Sequence, residues 1–198
     1  MDALIGVLAL QGAFAAHEHA LSSCGVHTRQ VRVAEDLTAL DGLVIPGGES
    51  TTMSNLLLRT AMFDAVRDEI RDGLPVFGTC AGMIMLAHNV LDGRADQVTF
   101  DAMDIDVRRN AYGRQVDSFE TDLNIDGLSN AFHAVFIRAP KVERIGPGVE
   151  VLSKLDGVPV LVRERNCLAA SFHPELSMDA SIHRLFVQQV LSRPRVSG

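Results

Sequence analysis

The stretch Pro75-Val76-Phe77-Gly78-Thr79-Cys80-Ala81-Gly82-Met83-Ile84-Met85-Leu86 constrains the fold more than any other part of the chain. A short apolar run stops at Gly78, a cysteine follows after one residue, and Gly82 opens a segment with helix-like apolar spacing, which predicts strand, tight turn and helix. Gly-x-Cys-x-Gly is the thiol counterpart of a nucleophile elbow, in which the reactive atom sits on a sharp turn at the top of a strand. The flanking glycines suit such a turn, because it forces unusual backbone angles and a close strand–helix approach that a Cβ would obstruct. A thiol at a helix N-terminus lies near unpaired N–H groups and the positive end of the helix dipole, which favours thiolate. Cys80 is therefore the candidate nucleophile; the plainer alternative is a buried structural cysteine behaving as a small hydrophobe.

A nucleophile needs a frame, and the chain is long enough for one. Its 198 residues, 47% of them hydrophobic, suit a single domain spanning 1–198 with a full core. With 18 basic against 25 acidic residues the net charge is −7, and there is no basic run, which argues against nucleic acid and anionic membranes as partners. Cys24, Cys80 and Cys167 are an odd number, widely spaced and without a Cys-x-x-Cys pair. That speaks for a reducing compartment and against a disulfide framework or zinc site. Leu4–Leu10 is too short for a signal or a membrane span, and a cytoplasmic location is expected.

In chain order, Ala3–Leu10 is a strand buried on both faces, turned by Gln11-Gly12 into a helix over Ala13–Ser23 that Gly25 stops. His17 and His19 in this helix, two apart, do not share a face and are expected to be solvated and to bind no metal. Thr28–Val33 alternates like a strand, and Gly42–Ile45 is a third strand ending in Pro46-Gly47-Gly48-Glu49-Ser50-Thr51-Thr52. There, two glycines followed by Ser/Thr caps present backbone N–H groups ahead of a helix from Met53, a loop fit for an anion or simply a strand–helix turn. Ala61–Asp72 is a helix, Leu74–Phe77 the strand delivering Cys80, and Ala81–Val90 a further helix. This alternation predicts an α/β fold with a flavodoxin-like, doubly wound, mostly parallel sheet and helices on both faces. Ligands then collect beyond the carboxyl ends of strands, where both the Gly-Gly loop and Cys80 fall.

The second half is richer in strands: Asp104–Arg108, Gln115–Leu123, Ala134–Ile137, Val149–Leu155 and Val158–Arg163, with Asp156-Gly157 a hairpin turn between the last two, so an added antiparallel region is expected. Cys167–Phe172 returns to the main sheet and ends in His173-Pro174-Glu175; Met178–Leu191 is a closing helix and Ser192–Gly198 a frayed tail. His173 and Glu175 sit just past a strand end with a rigid proline between them. An imidazole there can take a thiol proton and return it to a leaving amine, while a carboxylate fixes its tautomer and orientation. Cys80, His173 and Glu175 thus form a possible triad. Arg109 and Arg138, each next to an apolar or turn-rich run, are candidates to meet a ligand carboxylate, solvated surface arginines being the alternative.

These motifs together resemble a known family. Gly-Thr-Cys80-Ala-Gly, Pro-Gly47-Gly48-Glu49-Ser50-Thr-Thr and Ser-Phe-His173-Pro-Glu175-Leu are similar to the class I, triad-type glutamine amidotransferases. Leu10-Gln11-Gly12, the run Arg109–Glu120 and Phe136-Ile137-Arg138-Ala-Pro narrow the likeness to the glutaminase subunits of pyridoxal 5′-phosphate synthases, over nearly the whole chain. The resemblance implies a glutaminase that converts L-glutamine to L-glutamate and ammonia and passes the ammonia to a separate synthase subunit for vitamin B6 biosynthesis. It implies Cys80 as nucleophile, His173 as base and acid, Glu175 as its orienter, and Gly48 with Ala81 as oxyanion hole. Gly47, Gly48, Glu49, Arg109, Ile137 and Arg138 would hold glutamine, and neither a cofactor nor a metal is called for. Asp92–Ala102 departs most from the family, having Ala95-Asp96-Gln97-Val98 where a glycine-containing loop is expected. The alternatives are a glutaminase serving a different synthase, such as that making imidazole glycerol phosphate, a non-catalytic binding module, or another cysteine hydrolase or chaperone of the same fold.

Overall fold

The computed structural model describes residues 3–109 and 118–192. Its frame is a seven-stranded sheet whose strands are β1 (Leu4–Leu8), β2 (His27–Val31), β3 (Gly42–Ile45), β4 (Val76–Thr79), β10 (Glu150–Leu155), β11 (Val158–Glu164) and β12 (Cys167–Ala170). They run in the order β10-β11-β12-β4-β3-β1-β2. The five strands from β12 to β2 are parallel; β11 and β10 extend that sheet antiparallel. The turn joining β10 to β11 has positive φ at both Asp156 (50°) and Gly157 (82°), as a type I′ hairpin requires.

Because side chains alternate across a strand, the buried runs of β3 and β4 feed two cores. Leu43, Ile45 and Val76 face one, with α2 (Ser50–Arg59), α3 (Met62–Arg71) and α4 (Ala81–Leu86); Val44 and Phe77 face the other, with α1 (Phe14–Ser23) and α5 (Ser181–Ser192). Helices thus cover both faces, as the α/β alternation predicts. Phe77 is fully buried at the sheet centre against Phe186 (ring centroids 5.6 Å apart). Phe77→Ala is expected to lower unfolding stability by about 3–5 kcal/mol, a loss that chemical denaturation would read directly.

The remaining strands form a three-stranded sheet of β5 (Ala87–Val90), β6 (Met103–Arg108) and β9 (Lys141–Ile145), and a pair of β7 (Ser118–Leu123) and β8 (Phe132–Ile137). Two of these correct the sequence reading. The helix predicted over Ala81–Val90 stops at Leu86, because Ala87–Val90 pairs in parallel with β6, and that ladder outweighs another turn through Asn89, a poor helix former. The unpredicted strand β9 carries Lys141, Glu143 and Arg144, too charged for an apolar alternation to show. It is an edge strand against β6, fastened where Arg144 bridges Asp104 (2.6 Å) and Asp106 (2.8 Å). Gln115–Asp117 and the tail beyond Ser192 lie outside the described residues.

Candidate active site

The elbow is built as its glycines require. Cys80 joins β4 to α4 with φ 50° and ψ −102°, a conformation that is strained for any residue with a Cβ. Its N–H is anchored to the carbonyl of Ala170 on β12 at 2.8 Å. A Cβ on Gly78 would lie 2.6 Å from the carbonyl of Gly82, and one on Gly82 would strike the carbonyl oxygen of Ile45. Only glycines let strand, turn and helix cross this closely.

His173 and Glu175 follow β12, with Pro174–Leu176 in a 3-10 turn. The N–H of His173 is held by the carbonyl of Val135 (2.8 Å), which ties it to β8 and so to Ile137 and Arg138. His173 Nδ1 donates to Glu175 Oε1 at 2.8 Å, and the carboxylate is fully buried. That leaves Nε2 to face the Cys80 sulfur and to hold the proton it takes from the thiol. Gly47 sits against both: a Cβ there would lie 2.5 Å from His173 Cε1 and 3.4 Å from Cys80 Cβ. Burial works against a charged His173, but the hydrogen bonds and charges of Cys80 and Glu175 outweigh it and push its pKa up to about 10. Burial likewise opposes charge on Glu175, and the hydrogen bond from His173 reverses the balance, holding its carboxyl below the usual value.

Cys80, His173, Gly48, Glu49, Arg109, Ile137 and Arg138 line one cavity of about 240 Å³, together with Ser50 and Ile84, which the sequence did not single out. Ala81, the residue after the nucleophile, begins α4. The predicted site residues are thus brought together from five separate segments.

The Gly-Gly loop differs in its cap. Glu49 caps α2, not the Ser/Thr residues, and the helix starts at Ser50; its carboxylate accepts the N–H groups of Thr51 (3.1 Å) and Thr52 (2.7 Å). Arg109 is threaded into the same cluster, donating to Thr51 Oγ1 (2.9 Å), Gln97 Oε1 (3.1 Å) and Glu49 Oε1 (3.3 Å). Gln97 lies in the stretch that departs most from the family and also donates to Ser50 Oγ (3.1 Å), so that segment braces the arginine and the helix start.

His17 overturns its expectation of solvation: it is fully buried, while His19 is exposed. Phe14, His17 and Leu21 share the sheet-facing stripe of α1 at helical spacing, a signal that was present in the sequence. Among the described residues no cluster of His, Cys, Asp or Glu could hold a metal ion, and no helix is long and apolar enough to cross a membrane.

This frame, with a thiol at one strand end and an imidazole–carboxylate pair at the next, is that of the class I glutamine amidotransferases. A crystal structure described as a glutamine amidotransferase matches with a TM-score of 0.89 and 48% identity, over 94% of this chain and 98% of that one. The model of the SNO glutamine amidotransferase family matches residues 7–192, and the chain belongs to that family. Among its relatives, the pyridoxal 5′-phosphate synthase subunit PdxT of Mycobacteroides abscessus is 55% identical over 96% of this chain and 98% of its own. The subunit of the same name from Corynebacterium jeikeium is 56% identical over 96% and 98%.

Proposed function

We propose that this chain, as a single amidotransferase unit, is the glutaminase subunit of a pyridoxal 5′-phosphate synthase, working in the cytoplasm and passing ammonia from L-glutamine to a separate synthase subunit. The observation that carries the chemistry is the shared seat of Cys80 and His173 on Gly47, with Glu175 behind the imidazole. The thiol proton rests on His173 Nε2 as sulfur attacks the amide carbon, and passes from there to the amide nitrogen, which leaves as ammonia. Water attacks the resulting thioester, His173 takes its proton, and the sulfur departs as glutamate forms. The N–H groups of Gly48 and Ala81 serve the amide oxygen as it gains charge, while Arg109, Ile137 and Arg138, with the backbone of Gly47 to Glu49, seat the substrate.

The Gly-Gly loop supports a gated site. Gly48 has φ 151°; Gln11 Oε1 accepts the Glu49 N–H at 3.2 Å, and a Cβ on Gly48 would fall on the Gln11 amide. Gln11 Nε2 is buried there without a hydrogen bond among the described residues. The loop is therefore keyed to the turn after β1, and a synthase docked on that turn shifts the peptide between Gly47 and Gly48 toward the competent form. Glutamate release measured with and without the synthase subunit tests this. Turnover number is expected to rise about 10²-fold on adding the partner, the worth of one oxyanion donor, with a smaller change in KM. Equal turnover numbers refute the gate and leave the triad standing; no glutamate release in either case refutes the glutaminase itself.

A further inference from the structure

Behind Glu175 lies a second layer of buried polar groups. His17 Nε2 is 3.3 Å from Glu175 Oε2 and 3.1 Å from Thr79 Oγ1; His17 Nδ1 is 2.9 Å from His183 Nε2 on α5. Both imidazoles are fully buried, where a helix laid on a sheet ordinarily presents apolar side chains. Two buried imidazoles oppose stability unless their nitrogens are matched, so their placement against a triad carboxylate asks for a reason.

Matching the nitrogens gives one. Glu175 Oε1 is occupied by His173, and Oε2 makes no hydrogen bond among the described residues, so the polar atom facing it is His17 Nε2. An ionised carboxylate only accepts, which puts the proton on His17 Nε2, shared between Oε2 and the Thr79 hydroxyl. His17 Nδ1 is then bare and accepts the N–H of His183 Nε2. This leaves His183 Nδ1, the buried nitrogen without a partner, as a lone pair instead of an orphaned N–H, the rarer and costlier case. The opposite assignment would bury an unpaired N–H on His183 and set a bare nitrogen against the carboxylate. Burial drives the pKa of His17 down to about 4 and that of His183 to about 3, so both rings are neutral at neutral pH and act as oriented dipoles.

Resting on the triad reading, we propose that His17, oriented by His183, is a positioning residue that fixes the free oxygen of Glu175 and through it the ring of His173. The test is glutamine hydrolysis by the complex with the synthase subunit, for His17→Phe, His17→Asn and His17→Gln in native and Glu175→Gln backgrounds. His17→Phe is expected to lower kcat about tenfold, the scale of one hydrogen bond to a charged group, with KM within about twofold. The acid limb of the kcat profile should move to higher pH, since a carboxylate deprived of its N–H neighbour takes up a proton more readily. His17→Gln carries an amide N–H to the Nε2 position and should retain most of kcat. His17→Asn reaches only the Nδ1 position and should fall with His17→Phe, standing in for it should the phenylalanine variant not fold. In the Glu175→Gln background the His17 substitutions should change kcat less than about twofold, because the group they act through is gone. Losses of equal size in both backgrounds, or native kcat and acid limb in His17→Phe or His17→Asn, would overturn the proposal. Full activity of Glu175→Gln alone would instead overturn the triad reading beneath it.

Discussion

Cys80→Ala is expected to lose glutamine hydrolysis by on the order of 10⁴-fold or more, measured as glutamate release in the presence of the synthase subunit. The thiol provides the bond-forming atom, and neither His173 nor an intact oxyanion hole replaces it. Stability should hardly change, because Cys80 fills little volume and sits at φ 50°, where its own Cβ is a strain. Cys80→Gly, which removes that Cβ, should unfold no earlier than the native chain. The other two thiols serve as controls. Cys167 is fully buried and its pKa is pushed up to about 12 by that burial; burial also raises the half-buried Cys24. A glutamine-like electrophile should therefore label one cysteine, and glutaminase activity surviving in purified Cys80→Ala would sink the assignment.

Gly47→Ala should cost about 10² in kcat while leaving the fold intact. The added Cβ would lie 2.5 Å from His173 Cε1, 2.9 Å from its Nδ1 and 3.4 Å from Cys80 Cβ, so the ring is the atom group that must yield. A base displaced by about 1 Å from its sulfur loses about 10² in rate. Gly47 is not among the positive-φ glycines, so the alanine backbone itself is unstrained and the damage falls on chemistry. Turnover and the rate of Cys80 alkylation should drop together while the thermal midpoint stays within a few degrees. Native turnover would mean that the imidazole does not sit where the glycine places it.

What the sequence made legible was whatever is local. The elbow, the turns at Gly25 and Asp156-Gly157, and the order of strands and helices from β1 to α4 each follow from a few neighbouring residues, and the structure realises them. The pairing of Cys80 with His173 and Glu175 was legible because all three lie at strand ends, which a parallel sheet gathers on one side. Less visible were features set by a distant partner. Ala87–Val90 is a strand only because β6 is there to pair with it, and β9 hides among charges because it is an edge. Glu49 caps its helix in place of the expected Ser/Thr residues because its carboxylate can reach two N–H groups and an arginine at once. His17 was read as solvated because His17 and His19, two apart, do not share a helix face; the groups it meets, Glu175 and His183, come from a distant part of the sequence.

The span of chain between Cys80 and β12 decides when the molecule becomes reactive. The strand that finishes the elbow, β12, leaves the ribosome well after Cys80, yet it occupies the slot beside β4 and supplies the carbonyl that pins the Cys80 N–H. Until it arrives, the centre of the sheet has an open edge, and the base and its carboxylate, which follow β12 directly, do not yet exist. A chain halted before Cys167 carries the thiol without its base. Synthesis itself thus keeps the nucleophile silent, and a truncated product would neither consume glutamine nor release ammonia.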